Sequence, residues 1–182
     1  MLMKDDLSLF FLRIFLCFIP FQAFYFIFLP LTIYACFLAL FFYHPIISQQ
    51  TLIINQKSFL FIEACIASTA YWFLWVLTML TRDIDFITRV KLIFTSFTLF
   101  FFMNVLRIVI LILISLHYGQ AAFDTVHLLF WNFVSGIYLA LVWIITIKIH
   151  NIHSIPLYDD LKYLYKKSIF TRRSPEKPKY PQ

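Results

Sequence analysis

From Leu92 to Ile114 the chain carries a single charged side chain, Arg107, and no other stretch constrains the fold as strongly. At 1.5 Å per helical residue, a run of this length matches the roughly 30 Å hydrocarbon thickness of a bilayer. A helix apolar on every face must be buried in a large core or lie in lipid. The chain is 182 residues long, 62% hydrophobic and 13% charged, with 24 Phe and only two Gly. Soluble domains carry about 25% charged residues, so this one has too little polar surface to enclose such a helix in water. Lipid is the expected solvent for many of its rings.

Further apolar runs follow the same logic. Residues 9–43 are largely apolar, with Arg13 their one charged side chain, and are interrupted by Pro20 and Pro30. They predict either one tilted helix with an interfacial lead-in or two short helices. The run reaches about Tyr43, too far for the apolar region of a signal peptide. Residues 64–80 and 128–147 are the remaining spans. Between them lie three polar segments. In the first, Thr51–Ile54 and Ser58–Ile62 flank Asn55-Gln56-Lys57, a pattern compatible with a hairpin. The second is 81–91, with Arg82, Arg89 and Lys91. The third is 115–124.

The net charge of +6 is unevenly placed. Eight of the fifteen basic residues fall between Lys148 and Lys179, and three more in the 81–91 loop. Basic residues gathered at the flanks of apolar runs are topology signals rather than a nucleic-acid footprint. They predict a cytoplasmic 81–91 loop and tail, with 44–64 and 115–126 facing outward. Residues 1–152 form the expected transmembrane domain and 153–182 a basic cytoplasmic tail. The tail's Pro-rich end is expected to be disordered, and residues 159–170 to form a short surface helix. The expected fold is an all-α polytopic bundle of four or five spans, with a short outward-facing loop or hairpin before the 64–80 run that carries Cys65. Cys17, Cys36 and Cys65 have no paired spacing, so neither a disulfide framework nor a metal motif is expected. No cofactor is expected.

Three reactive side chains stand out against this background. Cys65 lies seventeen residues before Arg82, roughly 25 Å along a helix. Arg107 lies sixteen residues after Lys91, roughly 24 Å. His127 lies twenty-one residues before Lys148, roughly 31 Å. All three therefore fall near the outer hydrocarbon boundary, on three consecutive helices. Asn104 shares a helical face with Arg107, and an Arg–Asn pair turned into the bundle offsets part of the several kcal/mol that a guanidinium costs in lipid. A thiolate nucleophile, a histidine that exchanges protons and a cation for a developing oxyanion together suit acyl transfer. Each residue also has a plainer reading. Cys65 alone fits a packing position, Arg107 alone a snorkelling side chain, and His127 alone an interfacial residue. Glu63 would support the site or solvate a loop. Asp124 would orient the His127 ring or cap a helix. His44 and His117 compete with His127 on the outer side, while His150 and His153 fall on the cytoplasmic side.

Phe61-Ile62-Glu63-Ala64-Cys65 leading into a span, Asn104-Val105-Leu106-Arg107-Ile108 late in the next, and His127 opening the last resemble the exosortase/archaeosortase family over roughly residues 50–147. The resemblance implies a polytopic membrane cysteine transpeptidase with Cys65 as nucleophile, Arg107 as electrostatic stabiliser and His127 as acid/base residue. Its substrate would be an exported protein with a C-terminal hydrophobic sorting signal, transferred to a membrane lipid or surface glycan acceptor. The family usually follows its cysteine with a small residue and then glycine. Ile66-Ala67 stand there in this chain, and alanine cannot take a positive φ as cheaply as glycine.

The expectation is therefore a multi-pass protein of the cell membrane with a thioacyl-forming site at its outer face and no role in nucleic-acid binding. A non-enzymatic membrane subunit of an export or polysaccharide assembly system is the alternative, in which Cys65 is dispensable. A small transporter fits less well, because broken transporter helices are rich in Gly.

Overall fold

A computed structural model of the chain describes residues 11–81, 84–130 and 134–152. Residues 11–17 are helical. After a break at Pro20 comes helix α1 (Phe21–Ala39), then a single 3-10 turn (Phe41–Tyr43). Three short strands follow, β1 (Ile46–Ser48), β2 (Thr51–Ile54) and β3 (Lys57–Leu60). The rest is helical: α2 (Glu63–Ile66), α3 (Ser68–Leu80), α4 (Phe86–Tyr118), α5 (Gln120–Leu129) and α6 (Ser135–Ile149). The predicted surface helix at 159–170, the tail at 153–182, Arg82 and His153 lie outside the described residues.

Helix α4 contains the apolar run Leu92–Ile114 and exceeds it, with 33 residues. Asp85 caps its N-terminus: the Thr88 N–H donates to the carboxylate at 3.0 Å and the Thr88 hydroxyl at 2.5 Å. These two bonds hold the Asp85 carboxyl below its usual range. The α3–α4 corner is braced from the same end. The Arg89 guanidinium donates to the carbonyls of Thr78, Met79 (3.0 Å) and Thr81 (3.0 Å). Those carbonyls have no helical partner where α3 ends, and a cation suits that pole of a helix.

Helices α1 and α4 are each long and apolar enough to cross a membrane. Helices α3 and α6 are apolar but have 13 and 15 residues, or about 20 and 22 Å of helix. Large apolar side chains such as Phe18 (78% exposed), Phe42 (90%) and Phe94 (72%) face outward. A monomer in water rarely shows apolar surface so widely.

The fold is not all-α, as it carries a three-stranded antiparallel sheet in the order β1-β2-β3. The hairpin expected at 51–62 is real but shorter than the pattern suggests. Asn55 and Gln56 both have positive φ (49° and 64°), as a two-residue primed turn requires. Lys57 therefore belongs to β3, where it pairs with Ile54. On β2, Leu52 and Ile54 point inward and are fully buried. They join Ile33, Cys36, Ile66, Ile108 and Ile112 in one core cluster. A second cluster gathers Phe24, Tyr71, Leu74, Phe100, Tyr138 and Val142 between the helices, with Phe28 stacked on Tyr71 at 3.7 Å.

Two boundaries differ from the sequence expectation in ways that matter for the site. Residues 115–124 are not a loop: α4 continues to Tyr118, Gly119 (φ 84°) turns the chain, and α5 begins at once. His127 consequently lies on α5, a separate helix before the last long apolar one. Likewise the apolar run from Ala64 is two helices. Ala67 takes a left-handed conformation (φ 55°, ψ 43°), which ends α2 after one turn and starts α3.

Candidate functional site

The kink at Ala67 is the local event from which the site grows. In a continuous helix the carbonyls of Ala64, Cys65 and Ile66 would accept from residues four positions on. The left-handed residue interrupts that ladder and leaves them available. Helix α4 supplies the missing donors. Asn104 Nδ2 donates to the Cys65 carbonyl at 3.0 Å and to that of Ile66 at 3.4 Å. Arg107 Nη2 donates to the carbonyls of Ala64 and Cys65, both at 3.3 Å. Asn104 is fully buried and Arg107 is 8% exposed. A buried guanidinium needs several acceptors to offset lost hydration, and the broken helix end offers them. The expected Asn104–Arg107 pair thus acts as a clamp on the backbone that carries Cys65.

Ser135, at the start of α6, completes the clamp. Arg107 Nη1 donates to Ser135 Oγ at 3.4 Å, and Ser135 donates in turn to the Phe130 carbonyl at 2.7 Å. Nothing in the sequence singled out Ser135; its one visible signal is that it opens Ser135-Gly136, a small pair in an apolar run.

Cys65, Arg107 and His127 line one cavity of about 520 Å³, roofed by Gln56–Phe61 of the hairpin and walled by α4 and α5. The three residues singled out by helical spacing thus border one cavity, with His127 reaching it from α5 rather than from the start of the last long apolar helix. Among the described residues no carboxylate lines this cavity. The His127 ring stacks on Phe123, with ring centres 5.5 Å apart. Its Nδ1 is buried and has no hydrogen-bond partner. The rival histidines stay outside. His44 and His117 are exposed, and His117 Nδ1 lies 2.9 Å from the Leu113 carbonyl of its own helix. His150, toward the Phe86 end of α4, is 3.1 Å from Thr95 Oγ1.

The two carboxylates read as supporting residues do other work. Glu63 is exposed and accepts a bond from the buried Ser68 hydroxyl at 3.1 Å, which braces the α2–α3 junction. Asp124 is exposed and accepts from Gln120 Nε2 at 2.9 Å. It neither orients the His127 ring nor caps a helix, because α5 starts at Gln120 and places Asp124 within its second turn. Sequence reasoning also passed over Lys57. Its Nζ donates to the Ser115 carbonyl at 2.6 Å, fastening the hairpin to α4 over the cavity. Among the described residues no three His, Cys, Asp or Glu side chains are grouped as a metal would require.

A second cavity, of about 490 Å³, lies between α3, α4 and α6 and also touches Arg107. It is lined by Ala64, Ala67, Ala70, Ser135 and Gly136 along with aromatic side chains. Chemically, the pair of cavities joins a thiol, an imidazole and a guanidinium to an apolar groove. Comparison of the chain with protein-family models, with curated proteins and with solved structures yields no match, so its assignment rests on this arrangement.

Proposed function

We propose that this chain is a membrane-embedded cysteine transpeptidase that cleaves a C-terminal sorting signal of exported proteins. The observation that carries the reading is the shared cavity of Cys65, Arg107 and His127. Three residue types suited to acyl transfer line one space, and His127 Nδ1 keeps a free position toward a proton donor or acceptor.

The steps follow from the residues. His127 takes the proton of Cys65, and the sulfur adds to the scissile carbonyl. Negative charge develops on the carbonyl oxygen, and the buried Arg107 guanidinium stabilises it. The tetrahedral intermediate collapses with cleavage of the C–N bond. His127 returns the proton to the leaving amine, and a thioester remains on Cys65. An incoming nucleophile on a membrane lipid or surface glycan breaks the thioester, loses its proton to His127 and restores the thiol. Asn104 and Ser135 touch no reacting atom and position the clamp.

In the same reading α3 and α6 are short spans beside α1 and α4. Both are accommodated by local thinning and tilt, for four spans with residues 11–17 as an interfacial lead-in. The basic 81–91 loop and tail are cytoplasmic and the hairpin faces outward. The substrate arrives through its own apolar segment, which confines the encounter to two dimensions and raises effective concentration.

The test is co-expression with exported proteins of the same genome that end in a short motif, an apolar segment and a basic cluster. Processing, read as a mass shift on a gel, is expected with the native chain and is abolished by Cys65→Ala. Unchanged processing in Cys65→Ala would end the enzymatic reading and leave the non-enzymatic subunit.

A further inference from the structure

We propose that the 490 Å³ cavity between α3, α4 and α6 docks the apolar helix of the substrate, and that Arg107 Nε–H donates to one of its carbonyls. This rests on the transpeptidase reading and gives that reading a second subsite.

The two cavities are stacked along α4. The one holding Cys65 meets α4 from Arg107 to Ser115, and the other meets it at Phe100 and Arg107. Phe100 lies seven residues from Arg107 toward the Phe86 end, about 10 Å along the axis. A chain threading both would pass Arg107 at their junction, with its polar motif beside Cys65 and its apolar continuation one to two turns further in. That is the order of parts in a protein held by a C-terminal apolar segment.

The lining of the deeper cavity fits a helix. Ala64, Ala67 and Ala70 approach from one side and Ser135-Gly136 from the other. Small residues let helices in lipid come close enough to gain dispersion contact. A β-carbon added at Gly136 would meet no atom within 4 Å, so the space beside it is open. An acyl chain would fill the same volume but brings no acceptor. Arg107 supplies the independent argument: it is 8% exposed, lines both cavities, and its buried Nε has no hydrogen-bond partner. A buried N–H without an acceptor is costly, and a peptide carbonyl at the junction would relieve it.

The test needs no turnover. A synthetic single-span peptide of about twenty Leu and Ala residues, with a basic C-terminus and a bromoacetyl group on a short N-terminal lead, is placed with the full chain in phosphatidylcholine vesicles. Alkylation of Cys65 is followed by mass spectrometry and compared with iodoacetamide and with N-hexadecyl bromoacetamide. Gly136→Leu and Ala70→Phe are expected to slow the peptide at least about tenfold while iodoacetamide stays within about twofold. The hexadecyl reagent should change no more than iodoacetamide. An unchanged peptide rate in Gly136→Leu overturns the proposal. So does an equal loss with all reagents, which would place the effect on the thiol, and so does a selective loss shared by the hexadecyl reagent, which would make the groove an acyl-chain site. Because alkylation is independent of processing, failure here stays distinct from failure of the Cys65→Ala experiment.

Discussion

Asn104 has its side-chain nitrogen shared between the Cys65 and Ile66 carbonyls, which ties α4 to the backbone that carries Cys65. Asn104→Ala leaves the Ile66 carbonyl without its side-chain donor and the Cys65 carbonyl with Arg107 alone, a loss of about 1–3 kcal/mol. Thermal unfolding in detergent should fall accordingly, whereas Asn104→Asp should also fail because it removes the donor. Ala67 offers the opposite experiment. A left-handed alanine costs about 1–2 kcal/mol relative to glycine, and glycine returns part of that as unfolded-chain entropy. Ala67→Gly should therefore raise the unfolding temperature by a net gain of up to about 1 kcal/mol, and a lower temperature would contradict the strained kink. Asn104 and Arg107 were legible in the sequence because polar groups in an apolar run must find partners. The kink was not legible in the residues themselves, since alanine is the strongest helix former; only the resemblance, with its glycine at this place, marked Ala67. What selects it is the tertiary offer of donors from α4. Ser135 was hidden for a similar reason, as its bond to Arg107 is visible only once α4 and α6 are neighbours.

The hairpin acts as one piece. It is the roof over Cys65, and one bond from Lys57 to the Ser115 carbonyl fastens it to α4. Lys57→Met keeps the apolar stem and removes that bond. Cys65 should then react several-fold faster with a bulky thiol reagent, with little change toward a small one; equal rates for the bulky reagent would show the roof is held by its core contacts alone. The β2–β3 turn could be read from Asn55-Gln56, where asparagine accepts a positive φ readily. The strand β1 escaped notice because Ile46-Ile47-Ser48 is too short to show alternation. Helix α5 escaped because Gly119 and the polar residues after it look like a loop, although the chain turns there through one glycine and resumes helical structure. That misreading also accounts for the capping role read for Asp124, which assumed a helix starting near residue 127.

The bundle as a whole predicts a sidedness. A cysteine at Gln56, exposed at the hairpin turn, should be labelled in intact cells by a reagent that cannot cross the membrane. One at Lys148 should be labelled only after permeabilisation. The reverse pattern would invert the orientation and remove the outer-face site. The apolar runs were legible because composition alone forces them out of water. The three side chains chosen by spacing line one cavity. What the spacing missed was that the runs are not one helix each. The Arg89 brace gives the bundle a further property. Arg89 and Arg107 are eighteen residues apart on the same helix, an arm of about 27 Å. The corner where α3 meets α4 is thus the fulcrum of a long lever whose far tip is the guanidinium beside Cys65. One degree of tilt at the fulcrum swings the tip by about half an ångström, as much as a preorganised binding or catalytic constellation tolerates. The placement of Arg107 toward one end of α4 is tied to the corner at the other, and loosening Arg89 would register as a displaced guanidinium far from where the bonds were broken.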